Sequence, residues 1–334
     1  MTSTAKQGLL ERLEQGPVIC AEGYLFECER RGYLQAGAFV PEVVTELHRE
    51  FVHAGSDVVE ALTYYGHREK LRLIGKEHLL EHLNRSALEL AREVAEESGA
   101  LFAGDLSNTN VFALDDESRQ IVRAMFEEQT AWAVDAGVDF IIAETFSHVE
   151  EALIAVEVIE QTGLPAVVTL ALHREAVTRD DLLPAEACKR LEDAGADVVG
   201  LNCIRGPRTM LPHVKAIRSA VTCHVAALPV PYRTHAEQPT LQSLRDPEFD
   251  GQPFPTALDP FACSRYEFGA TALELGVRYL GVCCGAGPHH IRSLAEAVGG
   301  TPPASRYSAD MSKHAFLGSD PSLRPENQEY AERL

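Results

Sequence analysis

Three cysteines stand where chemistry is possible. Cys203 closes the apolar run Val199-Gly200-Leu201-Asn202-Cys203, and Cys283-Cys284 closes Leu280-Gly281-Val282. Adjacent cysteines make poor disulfide partners, because the small ring strains the peptide between them. Thiolates are metal ligands, and three of them on a tetrahedral zinc would leave its fourth position open, as catalytic sites require; buried thiols and a redox pair are the alternatives. The five remaining cysteines, Cys20, Cys28, Cys188, Cys223 and Cys263, sit singly in apolar or helical contexts and read as small buried hydrophobes.

Thiols so far apart in sequence can meet only if strand ends meet. Apolar runs rich in β-branched residues predict strands over 18–22, 57–65, 101–106, 139–145, 166–171, 197–203, 225–230 and 278–283. Amphipathic segments over 41–54, 77–97, 118–136, 149–162, 184–194, 209–220, 263–275 and 288–298 predict helices between them. The phrase Ala-Gly-x-Asp followed by two apolar residues occurs at 54–59, 136–141 and 194–199, where glycine can close a helix before the next strand. Continuous apolar strands joined by helical crossovers imply a parallel sheet covered on both faces. Eight such units are the count of a (β/α)8 TIM barrel, with an open doubly wound sheet as the alternative. Residues 1–304 are expected to form one barrel, and 305–334 a C-terminal extension. The span 235–260 carries five prolines and little periodicity, and reads either as a lid-like excursion or as a loop sealing the barrel edge. At the C-terminal mouth of a barrel, Cys203, Cys283 and Cys284 would converge on one Zn2+.

Totals narrow the function. The chain has 334 residues, 45% of them hydrophobic and 24% charged, ample for a core without disulfides. A formal net charge of −20 argues against nucleic acid as a partner, since phosphate backbones need a basic face. Met1–Gln15 lacks the apolar stretch of a secretory signal, and no window approaches a membrane span, so a cytoplasmic location is expected.

The stretches ERRGYLQAG, ELHREFVHAGSDVVEALTYYGHREKL, VDFIIAETFSHVEEA, AGADVVGLNC, LGVRYLGVCCG, PHHIRSLAE and TPPAS run from Glu29 to Ser305. In them the chain resembles the homocysteine S-methyltransferases, and within these the betaine–homocysteine methyltransferase branch. The resemblance implies a zinc barrel whose metal, on Cys203, Cys283 and Cys284, takes the sulfur of homocysteine and directs it at the methyl of an onium donor. Betaine, a dimethylsulfonio compound and S-methylmethionine are the donors in view, and the product is methionine. Zinc is suited to this, since a free thiol is mostly protonated at neutral pH whereas a metal-bound one is thiolate.

The resemblance also assigns other positions. Glu144-Thr145 would meet the ammonium of the amino acid, a helix-capping role being the alternative. Tyr64 and Tyr65 would lie near the donor, where aromatic faces attract onium groups, although a regular strand lets only one of two neighbours face the mouth. Phe39 falls where the betaine branch has tryptophan. Asn202 would either orient substrate or tie its loop. Ser147-His148-Val149-Glu150 reads as a capping box, which makes His148 structural, and His289 and His290 read as supporting residues. The family's first-strand Asp-Gly-Gly or Asp-Gly-Ala turn is replaced by Ala21-Glu22-Gly23, so its carboxylate is either lost or moved to Glu22. Both carboxylates, Glu144 and Glu22, are candidate catalytic residues.

Other readings remain open: zinc-assisted hydrolysis, which would favour histidine or carboxylate ligands; a thiol- or zinc-binding protein without turnover; and a methyltransferase for another thiol. The sequence stops at Leu334, short of the C-terminal arm that mammalian-type members use in assembly. A monomer and a homo-oligomer built through other surfaces both fit.

Overall fold

In the computed structural model, residues 6–33, 40–245, 268–308, 310–315, 318–320 and 325–333 are described. The apolar runs form β1 (Val18–Ala21), β2 (Val58–Glu60), β3 (Leu101–Ser107), β4 (Phe140–Phe146), β5 (Ala166–Leu170), β6 (Val198–Asn202), β7 (His224–Leu228) and β8 (Tyr279–Val282). All pair in parallel, and β8 returns to β1 to close the barrel in chain order. The helices are α1 (Leu9–Gln15), α2 (Tyr24–Arg30), α3 (Pro41–His53), α4 (Arg68–Leu73), α5 (Leu80–Ser98), α6 (Asp116–Ala136), α7 (Val149–Glu160), α8 (Pro184–Asp193), α9 (Pro207–Ala220), α10 (Ala270–Glu274), α11 (Pro288–Ala297) and α12 (Pro325–Ala331). Barrel, not open sheet, is therefore the architecture.

Residue alternation builds two cores. Outward-facing strand residues such as Ile19, Val59, Ile141 and Val199 pack under the helices. Inward-facing Val18, Val58, Leu101, Phe140, Val167, Val198 and Tyr279 fill the barrel floor, which Leu9 and Leu13 of α1 plug from below. That short helix went unpredicted, as did α2 and α4.

Three expectations need correction. The predicted 57–65 strand stops at Glu60, because Thr63 N–H turns back to Ala61 O (2.7 Å) and Gly66 N–H to Thr63 O (2.7 Å). The capping box at 147–150 does not form: α7 begins after His148, the Glu150 N–H donates to Asp180 Oδ2 (3.1 Å), and Ser147 Oγ is bonded to His173 Nε2 instead (2.8 Å). Only the end of the predicted 263–275 helix is described, as α10; residues 263–267, Cys263 among them, lie outside the described residues. Of the 235–260 excursion, 246–260 are likewise outside. Its first part folds onto the barrel mouth, with Leu241 N–H donating to Ile204 O (2.7 Å). Among the described residues, no helix is long and apolar enough to cross a membrane.

Candidate metal and substrate centre

The three thiols meet because the chain is forced to turn sharply after β6 and β8. Cys203 and Ile204 follow β6 with φ of +52° and +56°, a left-handed conformation uncommon for any side chain and costly for a branched one. The Cys203 N–H is held by Leu228 O (2.9 Å), and the Cys283 N–H by Pro229 O (3.0 Å). Gly285, at φ +93°, turns the chain after the pair; a Cβ there would sit 2.8 Å from the Tyr232 ring. As a result the sulfurs of Cys203, Cys283 and Cys284 lie within 4.8 Å of one another, with Cys283 and Cys284 3.9 Å apart.

That spacing fits zinc. A Zn–S bond of about 2.3 Å at a tetrahedral angle separates sulfurs by about 3.8 Å. The thiols of Cys283 and Cys284 donate to Cys203 and hold it well below the usual thiol range against the opposing effect of burial. Burial pushes Cys283 up, and the bond to Cys203 does so for Cys284.

Beneath the thiols the inward face turns acidic. Glu22 lies two residues beyond inward-facing Cys20, so its carboxylate enters the barrel, whereas Ala21 packs outward. Asn202, fully buried, donates from Nδ2 to Glu22 Oε2 (3.1 Å) and to Glu144, and its Oδ1 accepts the Thr145 N–H (3.0 Å). It therefore ties the ends of β1, β4 and β6 together, which is the tethering role. Thr145, at φ +63°, is a further left-handed residue at the mouth.

Two members of this group went unpredicted. Glu60 and Asp105 project inward beside Glu144, with one oxygen of each of the three within 4.8 Å of the others. The only sequence signal was an acidic residue inside an otherwise apolar run. Burial raises all four carboxyls, and their mutual repulsion raises them further. Among the described residues no Lys or Arg pairs with any of them, and Glu22 Oε1, Glu60 Oε1 and Asp105 Oδ1 have no hydrogen-bond partner. Such a well is built to receive protons or a cationic group.

Tyr64 and Tyr65 lie in the loop after β2, released from strand alternation. Their rings pack edge to face at 4.8 Å, Tyr64 half-buried and Tyr65 exposed. Burial raises both phenols, and the charges of Cys203, Cys284 and Glu144 add to it, so both belong to the mouth. Phe39 lies outside the described residues. His148 stacks against Phe112, and His290 is buried with Nδ1 accepting the Gly287 N–H (3.0 Å).

Comparison with known proteins agrees with this geometry. A family model described as homocysteine S-methyltransferase matches residues 21–298. Betaine–homocysteine S-methyltransferase 1 of Xenopus tropicalis is 36% identical over 356 residues, spanning 99% of this chain and 86% of the relative. S-methylmethionine–homocysteine S-methyltransferase of Pongo abelii is 35% identical over 352 residues, spanning 99% and 93%. Among solved structures, the metallated form of the homocysteine methyltransferase MmuM from Escherichia coli shares the fold with a TM-score of 0.65 at 17% identity, covering 85% of this chain and 96% of that one.

Proposed function

Because the chain belongs to the homocysteine S-methyltransferase family, and within it to the betaine–homocysteine branch, we propose that it is a zinc-dependent enzyme moving a methyl group from a small onium donor to homocysteine, giving methionine. The observation that carries this reading is the convergence of three sulfurs above a buried acidic well at the C-terminal mouth of the barrel. Cys203, Cys283 and Cys284 would hold the ion. Zinc bound there would keep the acceptor sulfur as a thiolate at neutral pH while leaving it nucleophilic.

The chain's own groups do the rest. Glu144 and Glu22 accept the ammonium of the acceptor, and Asn202 keeps their oxygens in place. The faces of Tyr64 and Tyr65 attract the donor's onium group, an interaction of up to about 2 kcal/mol when desolvated. The acceptor sulfur attacks the methyl carbon in line; the new S–C bond forms as the onium bond breaks, and its electrons leave with the neutral amine or thioether. An anion and a cation meet and both charges vanish, so a dry, low-dielectric mouth favours the step. No general base is needed once the thiol is ionised, which suits a site whose carboxyls are pushed towards their protonated forms.

Both named relatives use homocysteine but differ in donor, so the donor is the variable to test. Protein carrying one zinc per chain is to be incubated with homocysteine and betaine, dimethylsulfoniopropionate or S-methylmethionine, and methionine measured. One donor should give turnover lost on zinc removal; no methionine from any of them refutes the reading.

A further inference from the structure

A cavity of about 240 Å³ opens beside the thiols, between the loops that follow β3, β4, β5 and β6. Its walls include Asn108, Thr145, His148, His173, Arg179 and Ile204. Ile204 follows Cys203, Thr145 follows Glu144, and Asn108 Oδ1 accepts the Tyr64 hydroxyl (3.5 Å). The cavity is thus lined by the chain neighbours of Cys203 and Glu144 and by the hydrogen-bond partner of Tyr64.

We propose that this cavity is a carboxylate subsite, with Arg179 as the charge that receives a substrate's carboxylate. The inference rests on the methyl-transfer reading above and adds to it a determinant of substrate choice. Arg179 is exposed, is anchored through its backbone N–H to Ser147 O (2.8 Å), and has no acidic side chain in ion-pair distance among the described residues. It lines the cavity together with both His148 and His173. Burial holds the two imidazoles below their ordinary range, with Arg179 adding to it at both, against the opposing charge of Asp180 at His148 and of Cys203 at His173, so at neutral pH they are neutral hydrogen-bonding groups. The one carboxylate in the wall, Glu151, is engaged: its Oε1 accepts the Thr109 N–H (2.8 Å) and hydroxyl (2.7 Å). Asp180 caps α7 with Oδ2 through the Glu150 N–H, while its Oδ1 is buried without a hydrogen-bond partner. In a protein of net charge −20, an unpaired guanidinium facing a cavity at the reaction centre selects an anion.

Acceptor and donor can both supply that anion, and the test separates them. Dissociation constants are measured by calorimetric titration into the zinc-loaded full chain, for the unaltered protein, Arg179→Ala and Arg179→Lys. The acceptor arm compares homocysteine with 3-mercaptopropylamine, which lacks the carboxylate; the donor arm compares dimethylsulfoniopropionate with trimethylsulfonium. In one arm, Arg179→Ala should weaken the carboxylate ligand roughly tenfold or more, the weight of a charge-assisted hydrogen bond. Its carboxylate-free analogue should move less than about threefold on the same scale, and Arg179→Lys should retain part of the preference. The arm that responds names the substrate. Equal shifts for both ligands of each pair, or no binding of any carboxylate ligand to the unaltered protein, overturn the proposal. Binding is read without turnover, so a protein that makes no methionine would refute the methyl-transfer reading and still decide the subsite.

Discussion

Replacing Glu60 by Gln should make the protein more stable, and more so at higher pH. Glu60 is 3% exposed, shares its space with Asp105 and Glu144, and has no cationic partner among the described residues. Two charges no more than 4.8 Å apart repel by at least about 3.5 kcal/mol at an effective dielectric of about 20. The protein avoids much of this by holding protons, which is why burial and then Glu144 and Asp105 raise the Glu60 carboxyl. The sign follows from linkage. Above the unfolded value, about 4.5, the native state binds a proton that the unfolded chain has released, so stability falls as pH rises until the folded value is reached. The loss is limited to about 1.4 kcal/mol per pH unit, or at most about 4 kcal/mol between pH 5 and 8. Gln carries no charge, and its amide can donate to the neighbouring carboxylates. Urea unfolding of the metal-free proteins at both pH values should give Glu60→Gln a gain of roughly 2–4 kcal/mol at pH 8 and under about 1 kcal/mol at pH 5. Comparing variant with parent at each pH cancels the titration of groups far from Glu60. A loss of stability at pH 8, or a gain independent of pH, would refute the reasoning.

Other outcomes are equally specific. Cys283→Ser should abolish zinc retention, and a full equivalent of metal by elemental analysis would show the ligands to be wrongly assigned. His48, fully buried with neither ring nitrogen hydrogen-bonded, is lowered by burial from 6.5 to about 3. Its contribution is complete above pH 6.5 and is lost as pH falls towards 3, at about 1.4 kcal/mol per unit. His48→Leu should flatten that part of the stability profile, and an unchanged acid slope counts against the assignment. Asn202→Leu removes the amide that bonds both Glu22 and Glu144, at roughly 0.5–1.5 kcal/mol for each hydrogen bond; unfolding free energy and homocysteine affinity should both fall, and an unaltered homocysteine Kd would exclude Asn202 from the acceptor site.

Most of the barrel was legible because buried parallel strands and their crossover helices write distinct periods into the sequence. The misreading at 61–65 shows where that signal fails. Ala-Leu-Thr-Tyr-Tyr has strand composition, but side chains take over the backbone bonding there: Thr63 Oγ1 donates to Asp105 O (2.9 Å) and Ser107 Oγ to Tyr64 O. The cysteines were legible because thiols at two strand ends have few other uses. Arg179 and His173 were not, since their loop positions follow no period and their meeting depends on how three connections pack.

The acidic well was hidden for a different reason, which also explains how the site is held. Each deep group lies on the inward face of its strand, a whole number of strand repeats above a floor residue. Glu22, Asp105, Glu144, Asn202 and Cys283 stand four residues after Val18, Leu101, Phe140, Val198 and Tyr279, and Glu60 stands two after Val58. Alternation alone thus carries the chemistry up from the core, because a displacement of two or four residues preserves facing and of one reverses it. Sequence inspection saw apolar strands with stray acids; the barrel turns those acids into one ring. Cys203, five residues after Val198 and brought inward by its left-handed turn, and Cys284, Tyr64, Tyr65 and Arg179 lie beyond the strand ends and escape this rule. The carboxylates set by strand register are groups the proposed reaction needs for any donor, while Tyr64, Tyr65 and Arg179, borne on loops, face the donor or the open cavity. Donor preference can therefore change by loop substitution without disturbing the sulfurs and carboxylates beneath, in keeping with two relatives of nearly equal similarity named for different methyl donors.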